Sequence, residues 1–352
     1  MNKINIIYLM PELKGASGGG KIIYNHSTIL NEIDKNIKSK IVHLKKKISY
    51  KIELSLAKKF NFLNNFEEGW DAKKMKISKN FLPNKNWYNK KVNLKSNINF
   101  NENEDFIIIP EIMAHFAEDL DLKKKKIKYA IFVQGSFHMK SSGNFKKIKK
   151  AYENANLIIS TSDYSLNFIK KIFPKCRRNI FKISLSINPS TIKNVKKINS
   201  ITCLPRKLPA HYELLMFYLR NKIPKKWKID PIENVNQTTL INKIKKSKIF
   251  LSFSHFEGFG LPPLEAALMG NKIIGYDGGG GQEYWKKPIF EKIEYGEIYR
   301  FGEKILEEIK CYEDSWIKKS KKQRDYLIKK YSIKNEKKDL IKLSKKIIGL
   351  YK

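Results

Sequence analysis

Arginine and cysteine are nearly missing from this chain. Of 352 residues, six are arginine (Arg177, Arg178, Arg206, Arg220, Arg300, Arg324) and three are cysteine (Cys176, Cys203, Cys311). Cysteines so few and scattered exclude a disulfide framework or a thiolate zinc site and fit a reducing compartment, so the cytoplasm is the expected location. The shortage of arginine changes the meaning of the charge. Lysine and arginine together number 71 against 34 acidic residues, a net charge of +37 that would ordinarily point to nucleic acid or an anionic membrane. Nucleic-acid sites draw on clustered arginine and its bidentate fork. Here the charge is nearly all lysine, spread with asparagine and isoleucine over every expected helix face, which reads as a compositional bias of the surface. A nucleic-acid partner is therefore not expected. A weaker attraction to anionic lipid headgroups remains, on the order of 1 kcal/mol per basic residue near the surface. Peripheral association with the inner face of a membrane is compatible with that.

Also missing is any run of ~18 uninterrupted apolar residues, so no membrane helix is expected. The opening "MNKINIIYLMPEL" alternates like a strand and lacks a small-residue cleavage site, so it reads as the first strand of a domain rather than as a leader.

What is present is an alternation of short apolar runs with longer segments of helical period, the pattern of parallel sheets covered by helices. Strands are expected at "KINIIYLM", "KIVHL", "DFIIIP", "KYAIFVQ" and "NLIISTS", with a helix over "KIIYNHSTILNEI". After the expected helix "TSDYSLNFIKKIFP" comes "SLSINPSTIKN", a candidate linker with Pro189 and no period. A second block follows: strand "SITCL", helix "HYELLMFYLRNK", strand "WKIDPI", helix "QTTLINKIKKS", strand "KIFLSFS", helix "PLEAALMG", strand "KIIGY". The length also exceeds what one core usually supports. The expected division is an N-terminal Rossmann-like domain over 1–187, a C-terminal one over 198–310, and C-terminal helices over 311–352 that can pack back on the first domain. The basic tail "KNEKKDLIKLSKKIIGLY" is expected to pack through Leu340, Ile341, Leu343, Ile347 and Ile348. Residues 49–100 are rich in lysine and asparagine, with too weak a period to place elements.

Residues 15–22, "GASGGGKI", approach the P-loop pattern, but Ile22 stands where a magnesium-binding Ser or Thr is needed, which counts against a nucleoside triphosphatase. Gly18, Gly19 and Gly20, between a strand and a helix, still offer bare amides and a helix N-terminus to an anion; a tight turn is the plainer alternative. Neither a metal nor another cofactor is expected. The nearest approach to an Asp-x-Asp metal motif, Asp119-Leu120-Asp121, reads as a surface turn.

"SFSHFEGFGLPPLEAALMGNK" places Glu257 and Glu265 among apolar residues. It reads as a buried strand, a loop at its C-terminal end, a helix whose first turn tolerates Pro262 and Pro263, and a stop at Gly270. Ligands of open α/β sheets lie at the carboxyl ends of strands, so both carboxylates are expected at such an end. A carboxylate beside Leu264, Ala266 and Ala267 needs a partner. The vicinal hydroxyls of a sugar would serve, and so would an internal cap or a lysine.

"FEGFGLPPLEAALMG" resembles the signature of retaining glycosyltransferases of family 4 with the GT-B fold, two glutamates seven residues apart around a glycine turn. "SGGGKIIYNH" and "IIGYDGGGGQEYW" resemble the same family's first glycine loop and the strand and loop after the signature. The resemblance implies two Rossmann-like domains facing a central cleft, and metal-independent transfer of a sugar from a nucleoside-diphosphate sugar to a hydroxyl of a glycan or lipid-linked glycan. It implies Glu265 on the ribose, Glu257 beside the transferred sugar, and the amides of Gly258, Phe259 and Gly260 near sugar or phosphate. Arg206 and Lys207 in "CLPRKLPAHYE" stand where the family keeps a basic pair for the diphosphate, although the usual glycine-arginine opening is replaced. Glu283, after the second glycine run, is expected among the donor-binding residues, and Gln134 and His138 in "YAIFVQGSFHM" occupy the end of an N-domain strand, where His138, with Glu257, is a candidate catalytic residue that could bond a sugar hydroxyl. His115 and His255 are weaker candidates of the same kind. A nucleotide-sugar epimerase on the same fold, or a basic module binding nucleic acid or membrane, are the competing readings.

Overall fold

The computed structural model describes residues 3–12, 17–45, 47–51, 66–70, 72, 75–79, 81–83, 88, 90–187, 195–313 and 315–352. The glycine of the P-loop-like run at Gly15, and most of the candidate linker (188–194), lie outside these. The chain divides into two compact units, residues 1–183 with 337–352, and residues 184–336.

The first unit is built on strands β1 (Ile4–Pro11), β2 (Ile37–Leu44), β5 (Asp105–Pro110), β6 (Lys128–Val133), β7 (Leu157–Ser160) and β8 (Ile180–Lys182). They form one parallel sheet in the order β2-β1-β5-β6-β7-β8. Parallel strands buried on both faces need apolar side chains at successive positions, and "FIIIP" of β5 is buried throughout. Alternate residues then feed opposite layers. Ile7, Leu9, Ile107, Ile109 and Ile131 enter one core; Ile6, Tyr8, Phe106, Ile108 and Phe132 enter the other. The second layer is closed by the helix Gly18–Ile33 and by Leu340, Leu343 and Ile347 of the final helix Ile333–Gly349. The tail thus packs on the unit that opens the chain through Leu340, Leu343 and Ile347, with Ile348 partly buried, whereas Ile341, expected on the same face, is exposed.

Residues 49–100 had no period for a reason. Among the described residues, strands β3 (Lys47–Lys51) and β4 (Phe66–Trp70) pair only with each other, antiparallel. Further on, the chain runs beside β2: the Ile41 amide donates to the Asn93 carbonyl at 2.8 Å, and Lys95 donates back to Ile41 at 2.9 Å. A segment that covers a sheet edge takes its order from backbone hydrogen bonds, which leave no side-chain pattern.

The second unit holds β9 (Ile198–Cys203), β10 (Lys228–Pro231), β11 (Ser247–Glu257), β12 (Lys272–Gly279) and β13 (Phe290–Lys292), parallel in the order β10-β9-β11-β12-β13. Ile249, Leu251 and Phe253 of β11 pack with Ile201, Ile274 and Tyr276 against the helices Pro209–Leu219 and Ile298–Cys311. The central strand β11 therefore delivers its C-terminal end, and the helix Leu261–Leu268 after it, to the middle of one edge of the unit.

Candidate functional site

In β11 the core residues stop at Ser254, and the next three leave the regular ladder. Ser254 pairs with Asp277 but Glu257 pairs with Gly279, so one extra residue is inserted on β11. Phe256, at φ +48°, takes the left-handed backbone that a bulky side chain rarely adopts. Gly260 follows at φ +78° and caps the helix. Its left-handed geometry and its neighbour both require glycine, because an added Cβ would lie 2.8 Å from the Tyr284 hydroxyl oxygen. That hydroxyl donates to the Gly260 carbonyl and fixes the turn from below. The glycine run after β12 has a packing reason too: a Cβ on Gly280 would come within 2.2 Å of the Gly258 carbonyl oxygen. Two glycine stretches so close let the Glu257–Gly260 turn sit directly on the end of β12.

Lys207 lies in the single turn Pro205–Lys207 that follows β9, the neighbour of β11. Its Nζ is 2.5 Å from Oε1 of Glu257, with the side chains 38% and 22% exposed. Two residues singled out 50 positions apart in the sequence are thus joined in an ion pair. Arg206 is exposed on the same turn. Glu265 sits in the second turn of the helix Leu261–Leu268, part-exposed between the buried Leu264 and Ala266. Glu283 accepts a hydrogen bond from the Tyr331 hydroxyl at 3.1 Å, which ties the loop after β12 to the end of the helix Lys321–Lys330.

Around the ion pair the structure gathers residues that the sequence reading missed or ranked low. The His255 ring stacks on Phe256, with centroids 3.9 Å apart, and on Tyr295, at 5.1 Å. Tyr295 also packs on His211, from the first turn of the helix Pro209–Leu219, and on Tyr276 at the end of β12. The Tyr276 hydroxyl and His211 Nδ1 lie 3.1 Å apart. Burial lowers the pKa of His255, and Lys207 and His211 add to this while Glu257 opposes it, so the imidazole is neutral at pH 7. His211 and Tyr295 belong to no sequence pattern; only the proximity of four strand ends unites them.

In the first unit, the Ser17 side chain caps the helix Gly18–Ile33 by accepting from the Gly20 amide at 3.3 Å. The Gln134 side-chain amide donates to the Gly19 carbonyl at 2.9 Å, and a Cβ on Gly19 would lie 2.3 Å from its side-chain oxygen. Gly19 is thus a point of close approach, with Gln134 laid across it. Behind Gln134 is Glu111, a buried residue the sequence reading overlooked. Its two carboxylate oxygens accept from the amides of Gln134 and Gly135 at 3.2 and 3.1 Å. Burial pushes its pKa up to about 7 although those amides pull it down. His138 is exposed on the turn Ser136–Ser142 after β6. His115 is buried, 3.9 Å from Asp119, which pairs with Lys147 at 2.5 Å, so Asp119 of the Asp-x-Asp-like turn is held locally.

Among the described residues no three His, Cys, Asp or Glu side chains cluster as a metal would need, and no helix is long and apolar enough to cross a membrane. No protein-family model and no curated protein matches the chain. Solved structures do. A glycosyltransferase from Rickettsia africae is similar at a TM-score of 0.65 and 14% identity, with 99% of each chain covered. Sucrose-phosphate synthase from Thermosynechococcus elongatus is similar at 0.65 and 10% identity, covering 99% of this chain and 100% of that one. HepE from Anabaena, solved in complex with UDP, reaches 0.64 at 9% identity, covering 97% and 100%. Two parallel-sheet α/β domains in this order, matched over nearly the whole chain, give this protein the GT-B fold of glycosyltransferases.

Proposed function

We propose that this protein transfers a sugar, a hexose by the family resemblance, from a nucleoside-diphosphate sugar to a hydroxyl of a glycan or lipid-linked glycan, retaining the anomeric configuration and using no metal. The observation that carries the reading is the Lys207–Glu257 pair at the adjoining ends of β9 and β11, beside the helix that bears Glu265. The UDP in the HepE structure supports a nucleotide ligand for this fold.

In this reading Glu265 accepts two hydrogen bonds from the ribose hydroxyls, as an ionised carboxylate can. The amides of Gly258, Phe259 and Gly260 approach the sugar or its phosphates, and Glu257 orients the sugar hydroxyls. As the bond from the anomeric carbon to the diphosphate oxygen breaks, negative charge collects on the leaving group. Arg206 and Lys207 stabilise that charge, which falls on preorganised cations rather than on water. The acceptor oxygen bonds the anomeric carbon on the face the diphosphate leaves, and its proton passes to the leaving phosphate. Glu283, tied to Tyr331, holds the loop that supports the Glu257 turn. In the first domain, Gly18 and Gly19 offer amides to an anion, the Gly20 amide being taken by the Ser17 cap, and His138 offers its ring to a sugar hydroxyl. A cytoplasmic enzyme with access to the inner membrane face would meet both nucleotide sugars and lipid-linked acceptors, and the surplus of lysine favours the latter surface.

Thermal shift with UDP, GDP, ADP and their hexose conjugates tests the reading, since a ligand of the native state raises the melting temperature. At least one conjugate should stabilise the wild type, and Glu265→Ala should abolish that shift. Glu257→Ala should instead slow donor turnover. Unchanged donor affinity and unchanged rate in both variants would remove the model.

A further inference from the structure

Four strand ends of the second unit place aromatic rings beside the Lys207–Glu257 pair. His255 and Phe256 come from the end of β11, Tyr276 from β12, Tyr295 from the loop after β13, and His211 from the turn of helix that follows β9. The arrangement is ordered. Tyr276 is buried, 2% exposed, and forms a floor on which Tyr295 packs at 5.4 Å. His255 lies on Tyr295 with an interplanar angle of 26°, and Phe256 continues the array. Its outer members remain open to solvent: Phe256 is 54% exposed and Tyr295 55%.

Holding Phe256 there has a cost. A left-handed backbone at a bulky residue is disfavoured, and such strain concentrates where a side chain must be aimed for function. The bulge at Ser254–Glu257 is the device that turns the ring outward while bringing Glu257 to Lys207.

We propose that Phe256, His255 and Tyr295 form a stacking platform for the C–H face of a sugar ring, whose hydroxyls reach the adjacent Lys207–Glu257 pair. The chemistry selects a carbohydrate ring. Aromatic faces bind flat apolar surfaces, and polar groups at the rim of such a site fix orientation. A pyranose offers both a C–H face and a rim of hydroxyls, which the charged pair can bond. Partial burial and the nearby Lys207 lower the His255 pKa, which favours the neutral imidazole within the stack.

This subsite rests on the reading of the protein as a nucleotide-sugar enzyme, and the test separates the two. Calorimetric titration compares UDP, GDP and ADP with UDP-, GDP- and ADP-hexoses on the wild type, Tyr295→Ala and Phe256→Gly. Glycine tolerates the left-handed backbone, so Phe256→Gly removes the ring without unfolding the turn. The wild type should bind one hexose conjugate more tightly than its parent diphosphate. Each variant should weaken that conjugate by about threefold to tenfold, the scale of an aromatic contact, and leave the diphosphate unchanged. Equal weakening of conjugate and diphosphate would overturn the sugar assignment and place the base or phosphates on the platform. Variants that match the wild type for both would overturn the platform while sparing the enzymatic reading. A wild type that binds no nucleotide or conjugate would overturn the reading itself and the subsite with it.

Discussion

Replacing Glu257 by glutamine should tighten the binding of a nucleoside diphosphate, although it removes a residue assigned to the sugar. Lys207 Nζ lies 2.5 Å from the Glu257 carboxylate. A diphosphate that recruits Lys207 must first compete with that carboxylate. With side chains 38% and 22% exposed, solvent screens the pair, and such ion pairs contribute about 0.5–1 kcal/mol. Glutamine keeps the shape and loses the charge, so the diphosphate should bind roughly twofold to fivefold more tightly at low salt, at 1.4 kcal/mol per tenfold. Lys207→Ala removes the cation itself. Losing a hydrogen bond between charged groups, about 1.5–3 kcal/mol, should weaken the diphosphate by roughly 10- to 150-fold. In the double variant the gain from Glu257→Gln should vanish, because the lysine it frees is gone. Calorimetry with the diphosphate that stabilises the wild type best, at 50 and 300 mM salt, is the assay, and the gain should shrink at the higher salt. An affinity unchanged or lowered by Glu257→Gln, together with an indifferent Lys207→Ala, would refute the reasoning.

Three further expectations concern stability. Gly260→Ala should lower the unfolding midpoint by an amount corresponding to more than about 1 kcal/mol, since alanine is disfavoured at φ +78° and its Cβ meets the Tyr284 hydroxyl. Adding Tyr284→Phe, which deletes that hydroxyl, should cost less in the Gly260→Ala background than in the wild type. His43 gives the first domain an acid-sensitive element: burial lowers its pKa from 6.5 to about 4, with the Tyr24 hydroxyl 2.9 Å from its Nε2. Below about pH 6.5 the unfolded chain binds a proton that the folded one refuses until about pH 4. The His43 contribution to stability should therefore fall as pH drops through that window, by roughly 3 kcal/mol in full, and should appear as the pH-dependent difference between wild type and His43→Gln in urea titrations from pH 4 to 7. Glu111 works in the opposite direction. Its pKa is raised to about 7, so the folded state holds a proton that the unfolded chain releases above about 4.5, and stability falls as pH rises through that window. Glu111→Gln should remove this second slope and leave the first.

Much of the fold was legible. The runs "INIIYLM", "DFIIIP" and "KIFLSFS" are strands because near-continuous apolar stretches suit only a sheet covered on both faces, and each is buried as read. The helix Leu261–Leu268 begins at its prolines and stops before Gly270, as local backbone chemistry dictates. Illegible were the elements ordered by partners distant in sequence. The pairing of β3 with β4 and the chain beside β2 depend on backbone hydrogen bonds that any polar residue can make. The same holds at the candidate site. Glu257, Glu265 and the glycine runs stand in a compact motif, whereas His211, His255 and Tyr295 meet only because β9, β11 and β13 end at one edge.

By itself the sequence determined two successive parallel α/β blocks, the strand-turn-helix carrying both glutamates, and a basic surface without clustered arginine, because periodicity, glycine and proline act over a few residues. Tertiary structure alone decided that Lys207 closes on Glu257, that the final helix returns to the first domain, and that a strained Phe256 tops a stack of rings. Those outcomes depend on which strands lie side by side, a relation between residues 40 positions apart in the ring stack, 50 in the ion pair and 310 where Ser344 meets Asp34, which no local pattern encodes.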